Sequence, residues 1–127
     1  MGIRVLVVDD HQMVREGLRL LLEHEPDLEL VGEATDGQQA VAMAGELRPQ
    51  VVVMDIGLPV MDGIEATRHI RETHPEIAVI ALTAHADNHL VKAMRDLGVC
   101  DYILKDMAFE LLGDAIRKCT VGETTVS

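Results

Sequence analysis

Three aspartates, one threonine and one lysine carry the chemistry in this chain, and each stands at the end of a short apolar run. Asp9 and Asp10 follow Ile3-Arg-Val-Leu-Val-Val8, Asp55 closes Val51-Val-Val-Met54, Thr83 follows Ile77-Ala-Val-Ile-Ala-Leu82, and Lys105 follows Tyr102-Ile-Leu104. Such runs read as buried strands where charge, Gly or Pro interrupts them. In a parallel sheet their carboxyl ends share one edge, the edge at which open α/β folds bind ligands. Five polar groups can therefore meet in one small site. Three carboxylates a few ångströms apart cannot all ionise without a cation among them. Hard oxygen donors in a small site favour Mg²⁺, which leaves positions for substrate oxygens. An aspartate beside such an ion, faced by an ammonium and a hydroxyl, suits nucleophilic phosphoryl transfer. Asp55 would attack phosphorus, the ion and Lys105 would neutralise the equatorial oxygens, and Thr83 would donate a hydrogen bond to one of them. No general base is needed, because the nucleophile is already a carboxylate.

Each of these residues also has a plainer role to set against that one. Asp9 and Asp10 stand where they could simply cap the helix that follows. A lysine after a strand is commonly a surface residue, and Thr is frequent at strand ends. Asp55 has the weakest plain explanation, since no helix starts directly after it.

The elements that must position these groups alternate strictly between strand and helix. After strand 3–8, a helix near 12–24 places Val14, Leu18, Leu21 and Leu22 on one face at helical spacing, with Pro26 beyond its end. Strand two spans about 29–34. Asp36 with Gln39 has the spacing of a capping box and opens a helix near 37–47 that buries Ala40, Val41, Ala44 and Leu47, with Pro49 following. Asp62 with Glu65 repeats that signal and opens a helix to about Thr73. The strand 77–82 leads to a helix near 87–97 with Leu90, Val91, Met94 and Leu97 inward, ended by Gly98. Strand 101–104 precedes a last helix near 108–119 with Leu111, Leu112, Ala115, Ile116 and Cys119 facing the core.

Regular βα alternation implies a doubly wound parallel sheet with right-handed crossovers and helices on both faces. Of the two common five-stranded orders, 3-2-1-4-5 and 2-1-3-4-5, the second makes strands one and three neighbours and so joins Asp9 and Asp10 to Asp55. The expected fold is thus α/β and flavodoxin-like, a (βα)5 unit.

Bulk properties narrow the function further. The 127 residues fit one domain, 48% apolar, with no apolar run long enough to span a membrane and no signal-peptide pattern. A net charge of −11 argues against this segment gripping nucleic acid itself. Cys100 and Cys119 have no CxxC spacing and read as reduced, half-buried packing thiols of a cytosolic protein. There is one Phe and one Tyr and no Trp, so Tyr102, beside Lys105, stands out.

In order and spacing, Val8-Asp9-Asp10, Met54-Asp55 with Leu58-Pro59-Val-Met-Asp62-Gly63, Leu82-Thr83-Ala84 and Tyr102-Ile-Leu-Lys105 resemble the receiver domain of two-component response regulators. The likeness covers nearly the whole chain. It implies that Asp55 takes a phosphoryl group from the phosphohistidine of a sensor histidine kinase. It implies Mg²⁺ on Asp10, Asp55 and the backbone carbonyl of Gly57, with Asp9 acting through water. It also implies a switch pair: Thr83 drawn to the phosphoryl group, and the Tyr102 ring moving into the space vacated. Lys105-Asp106, Asp10-His11 and Gly122-Glu123 resemble receivers of the LuxR/NarL type, which precede a helix-turn-helix output. On that likeness the receiver is 1–119 and residues 120–127 begin a linker to an output domain absent from this chain. DNA would be reached only through that domain. A phosphorylation-dependent homodimer is expected from the apolar fifth helix, and a cytoplasmic location with no membrane partner.

The sequence departs from the family pattern in two places. The family often has a cis proline after the lysine; here the residue is Asp106, and a non-proline cis bond costs about 2.5–4 kcal/mol. Two beyond Asp55 and Thr83, where side chains tune acyl-phosphate lifetime, stand Gly57 and His85, so His85 is left the larger share of that tuning. A dehalogenase-type phosphatase would need a second acid at Gly57. A flavin site would need a phosphate loop where Asp9-Asp10 stand, and no GxxxxGK[ST] or GxGxxG occurs. His85 and His89 lack a third zinc ligand nearby and read as solvated. A receiver-like interaction module that is never phosphorylated is the serious competitor, although such modules typically lose an acid or the lysine, and none is lost here.

Overall fold

A computed structural model describes residues 2–58, 62–84 and 87–120. Strands β1 (Ile3–Val8), β2 (Leu28–Ala34), β3 (Val51–Asp55), β4 (Ala78–Thr83) and β5 (Asp101–Leu104) alternate with helices α1 (Gln12–Glu23), α2 (Gly37–Leu47), α3 (Gly63–Thr73), α4 (Asn88–Asp96) and α5 (Ala108–Thr120). A short 3-10 turn, Lys105–Met107, joins β5 to α5. The strands form one sheet in the order β2-β1-β3-β4-β5, with every pairing parallel. This is the doubly wound order expected from the acid spacing.

Alternation along each strand divides the interior into two cores. Val5, Val7, Val51, Val53, Ile80, Leu82 and Ile103 face one side and pack with Leu18 and Leu22 of α1 and Leu112 and Ile116 of α5. Leu6, Val8, Val52, Met54, Val79 and Ala81 face the other, against Ala40 and Ala44 of α2, Ala66 and Ile70 of α3 and Met94 of α4. Helices on both faces leave β3, the middle strand, buried at all five positions. That is why its sequence is an unbroken apolar run and not an alternating one.

The register then sets the functional edge. Val8 pairs with Met54, Asp55 with Leu82, and Thr83 with Leu104. Asp9, Asp55, Thr83 and Lys105 are therefore brought level to within about a residue at the carboxyl edge.

The helix starts follow their signals. The Asp36 carboxylate accepts from the Gln39 N–H and the Asp62 carboxylate from the Glu65 N–H, both at 2.8 Å. Gln39 does not reach back to the cap residue; its Oε1 accepts from the Thr35 N–H instead, at 2.9 Å. Asp87 caps α4 by accepting from His89 at 2.8 Å, so the helix starts one residue later than its apolar spacing predicts. Gly98, at φ +83°, ends that helix in the left-handed conformation. No peptide bond among the described residues is cis.

Two expectations are corrected. Leu111 does not face the core: it is 45% exposed, because the inward stripe of α5 is Ala108, Leu112, Ala115, Ile116 and Cys119 and Leu111 falls one helical step off it. Cys100 and Cys119 are not free packing thiols. They are joined by a disulfide, with Cα atoms 5.8 Å apart. The return of α5 along β5 brings the residue before the strand beside the end of the helix, a closeness that spacing along the chain does not reveal. α5 runs through Thr120, whose hydroxyl donates to the Arg117 carbonyl at 2.8 Å, so it includes the position where the linker was placed. Residues 121–127, and with them Gly122-Glu123, lie outside the described residues, as do Pro59 to Met61 and His85.

Candidate functional site

Asp55 ends β3 and is 3% exposed, held at the sheet edge by the buried strands on either side. Its Oδ1 accepts from the Gly57 N–H at 3.0 Å as the chain turns, and its Oδ2 lies 3.0 Å from Lys105 Nζ. Lys105 reaches it from the far side of the sheet by opening the 3-10 turn directly after β5. The same ammonium is 3.0 Å from Asp9 Oδ2, so one cation bridges two buried carboxylates. Asp9 itself is fully buried. Its Oδ1 accepts from the His11 N–H at 2.8 Å and lies 3.0 Å from His11 Nδ1. Its Oδ2, although close to Lys105, lacks the alignment of a hydrogen bond and has no such partner. Arg15 adds a donation to the Asp9 carbonyl at 2.8 Å.

Neither acid of the pair caps α1. The N-cap is His11, and no side chain caps the helix. The plain explanation of Asp9 and Asp10 thus loses its basis. Asp10 is the exposed member, 3.3 Å from His11 Nδ1.

Burial is the largest influence on Asp55 and pushes its pKa up, with the Asp9 charge adding to it. The Gly57 and Lys105 hydrogen bonds pull the other way without cancelling it. For Lys105, burial is again the largest single influence and works downward, but its close pairing with the Asp55 and Asp9 carboxylates outweighs it and leaves its pKa raised. The site therefore holds more buried negative charge than one lysine neutralises. Carboxylate oxygens of Asp9, Asp10 and Asp55 and a ring nitrogen of His11 all lie within 4.8 Å of one another. With Asp9 also carrying a buried oxygen that no hydrogen bond satisfies, this donor set fits a hard divalent cation.

Thr83 is buried at the end of β4, and with His11, Asp55, Gly57, Ala84, Leu90 and Lys105 it lines a cleft of about 270 Å³. Tyr102 pairs with Ala81 across β4 and β5, which puts its side chain on the same sheet face as Thr83. It is half-buried and packs against the core beneath α4. The expected site residues that the structure describes, Asp9, Asp10, Asp55, Gly57, Thr83 and Lys105, are on this edge, with Tyr102 beside it. Two were passed over. His11 entered only as part of a subfamily likeness, although its place directly after the acid pair signals contact with both. Gly63 was read only as part of a loop motif. A Cβ there would collide with the backbone of Asp55 and Ile56, and its N–H donates to the Ile56 carbonyl at 3.2 Å.

The chain matches the family model of the response regulator receiver domain over residues 5–117. It is 43% identical over 124 residues to the response regulator protein VraR of Staphylococcus aureus, covering 98% of this chain and 59% of that protein. The chain thus spans little more than half the length of that relative. Among solved structures, a LuxR-family two-component response regulator from Aurantimonas sp. superimposes with a TM-score of 0.91 at 35% identity, covering 98% of this chain and 89% of that one. The response regulator domain of Thermotoga maritima CheB gives 0.87 at 32%, covering 97% and 99%.

Proposed function

Since this chain belongs to the response regulator receiver family, and is related to its LuxR/NarL-type members, we propose that Asp55 is the phosphoacceptor for a sensor histidine kinase. The observation that carries the reading is Lys105 Nζ at 3.0 Å from both Asp55 and Asp9 within an otherwise buried acidic edge. An Asp55 carboxylate oxygen attacks phosphorus as the bond to the kinase histidine nitrogen breaks. Lys105 is already placed to follow the charge onto the phosphoryl oxygens, and Thr83 offers its hydroxyl to one of them. Asp10, Asp55 and the Gly57 carbonyl would hold Mg²⁺, with Asp9 acting through water. The ion supplies charge neutralisation of the transferring group. The chain's catalysis is confined to its own phosphoryl gain and loss.

Thr83 and Tyr102 share one sheet face, which supports their reading as the switch pair: as Thr83 turns to the phosphoryl group, the Tyr102 ring fills the space it leaves. The output would be a DNA-binding transcription regulator domain following a linker at 120–127, in a cytoplasmic protein with the receiver at 1–119. Among the described residues, no helix is long and apolar enough to cross a membrane. Phosphorylation-dependent pairing with a second copy is supported by the outward apolar residues Met107, Phe109 and Leu111 of the turn and α5, of which Phe109 adjoins Met13 of α1 and Leu111 lies on the β5 flank. Met13 and Phe109 line an apolar cleft that reaches Lys105 and so connects this face to the site.

The test is intact mass after incubation with acetyl phosphate and Mg²⁺, on wild type and Asp55→Asn. One phosphoryl group gained, lost with EDTA and absent in the variant, is expected. No gain in wild type would favour the interaction-module reading, and a gain that persists in the variant would move the nucleophile elsewhere. Light scattering on the same samples is expected to show a dimer only in the phosphorylated one.

A further inference from the structure

The disulfide between Cys100 and Cys119 lies at the opposite end of the sheet from Asp55. Cys100 immediately precedes β5, and its N–H donates to the Val79 carbonyl at 2.8 Å. Cys119 is in the last turn of α5. Both are 8% exposed, but they are not equally reachable. Cys119, and not Cys100, lines an open polar cleft of about 370 Å³ walled by Arg48, Pro49, Gln50, Glu76 and Thr120. A small thiol has a route to one sulfur of the bond.

The bond is not the sole anchor of α5. α5 is independently seated by Leu112 and Ile116, both fully buried, and by Arg117, which donates to Asp27 at 2.7 Å and lies 3.1 Å from Glu25. What the disulfide adds is a tie at the last turn of α5. In a reducing compartment, disulfides are typically transient and redox-sensing and not structural supports. We propose that Cys100 and Cys119 form a reversible redox-modification site, opened by a small thiol attacking Cys119 through this cleft, and that opening it releases the end of α5.

The exchange balances in two steps. A thiolate attacks Cys119 Sγ, forming a mixed disulfide there and expelling the Cys100 thiolate, which takes a proton from water. A second thiolate attacks the outer sulfur of the mixed disulfide, giving the oxidised small thiol and the Cys119 thiolate, which is protonated in turn. Two thiols lose two electrons and the protein gains them. The small disulfide reverses the sequence. The chemistry stands apart from the phosphoryl reading, whereas its effect on signalling rests on that reading: Tyr102 is two residues along β5 from Cys100, and α5 follows it.

The experiment uses the whole chain with glutathione as the probe. After equilibration with glutathione disulfide, N-ethylmaleimide should add nothing to the protein. After excess reduced glutathione it should add to two cysteines. Reduction should lower the melting temperature by roughly 10 °C, as expected for opening a loop with a separation of 19 residues. A Cys100→Ser/Cys119→Ser variant should melt with the reduced form and ignore thiol. Amide exchange at residues 117–120 should quicken on reduction while that of β3 does not. With single variants, glutathione disulfide should modify the Cys119 left in Cys100→Ser severalfold faster than the Cys100 left in Cys119→Ser. Two maleimide adducts on the protein kept in glutathione disulfide would overturn the site. Unchanged exchange at 117–120 would overturn the release, and equal or reversed rates would overturn the direction of attack. Acetyl phosphate labelling of the same oxidised sample reads the phosphoryl reading separately, since a chain that forms the disulfide and takes no phosphoryl group fails only there.

Discussion

One ammonium serves two buried carboxylates at this site, and the imbalance decides how the residues behave. Asp55 is held above the ordinary carboxylate range chiefly by burial, so in the absence of Mg²⁺ its carboxyl carbon should titrate by NMR with a midpoint above about 3.9. Lys105→Met should move that midpoint higher still, because a hydrogen bond and a positive charge that favour the ionised form are removed. The stability consequence has a definite sign. A carboxyl whose folded pKa is raised binds more protons folded than unfolded, so stability falls as pH rises from the unfolded value through the folded one. At neutral pH, ionised Asp55 therefore costs stability. Asp55→Asn should raise the melting temperature by a few degrees at pH 7 in EDTA, and the gain should shrink as pH falls through the folded value and be gone below the unfolded one. Lys105 shares that sign, although here the charged form is the favoured one. Its raised pKa means that its contribution is complete below about 10.5 and is lost as pH rises through the folded value. A melting temperature for Asp55→Asn equal to or below that of wild type at pH 7 would show that the lysine does neutralise the pair.

At the scale of elements, β3 and β4 announced themselves because burial on both faces leaves them almost no polar positions, and Asp55 and Thr83 at their ends were legible for the same reason. Asp55 closes five buried residues in a row, and a charge there needs an explanation that a charge on a helix face does not. Capping aspartates 36 and 62 were equally plain, since a cap acts within four residues. What escaped depends on contacts between distant elements. Leu111 satisfies a helical period as well as Leu112 does, and only the docking of α5 on β5 decides which turns inward. The two cysteines meet through that same docking. Gly63 belongs to this group. Its missing side chain lets the start of α3 press on the backbone that carries Asp55. Gly63→Ala should cost about 1–3 kcal/mol in urea unfolding, the usual range for overpacking, and should slow acetyl phosphate labelling because the turn after Asp55 must shift. Stability lost with labelling intact would mean that the turn absorbs the shift away from the carboxylate.

For the whole molecule, the burial of β3 between two cores has a consequence for how the domain opens. Its amides can reach solvent only when both cores separate, so hydrogen exchange at residues 52–54 should occur through global unfolding, at the slowest rates in the chain. The measurement is native-state exchange in low concentrations of denaturant, where the opening free energy of these amides should converge on that of the entire domain. Asp55, the proposed phosphoacceptor, is thus anchored in the last part of the molecule to come apart, beneath a cleft that is lined by turn and helix residues as well as by strand ends. On the proposed reading, water would come and go over an acyl phosphate many times without the carboxylate that bears it being displaced, and turnover of the signal would in this way be separate from turnover of the fold.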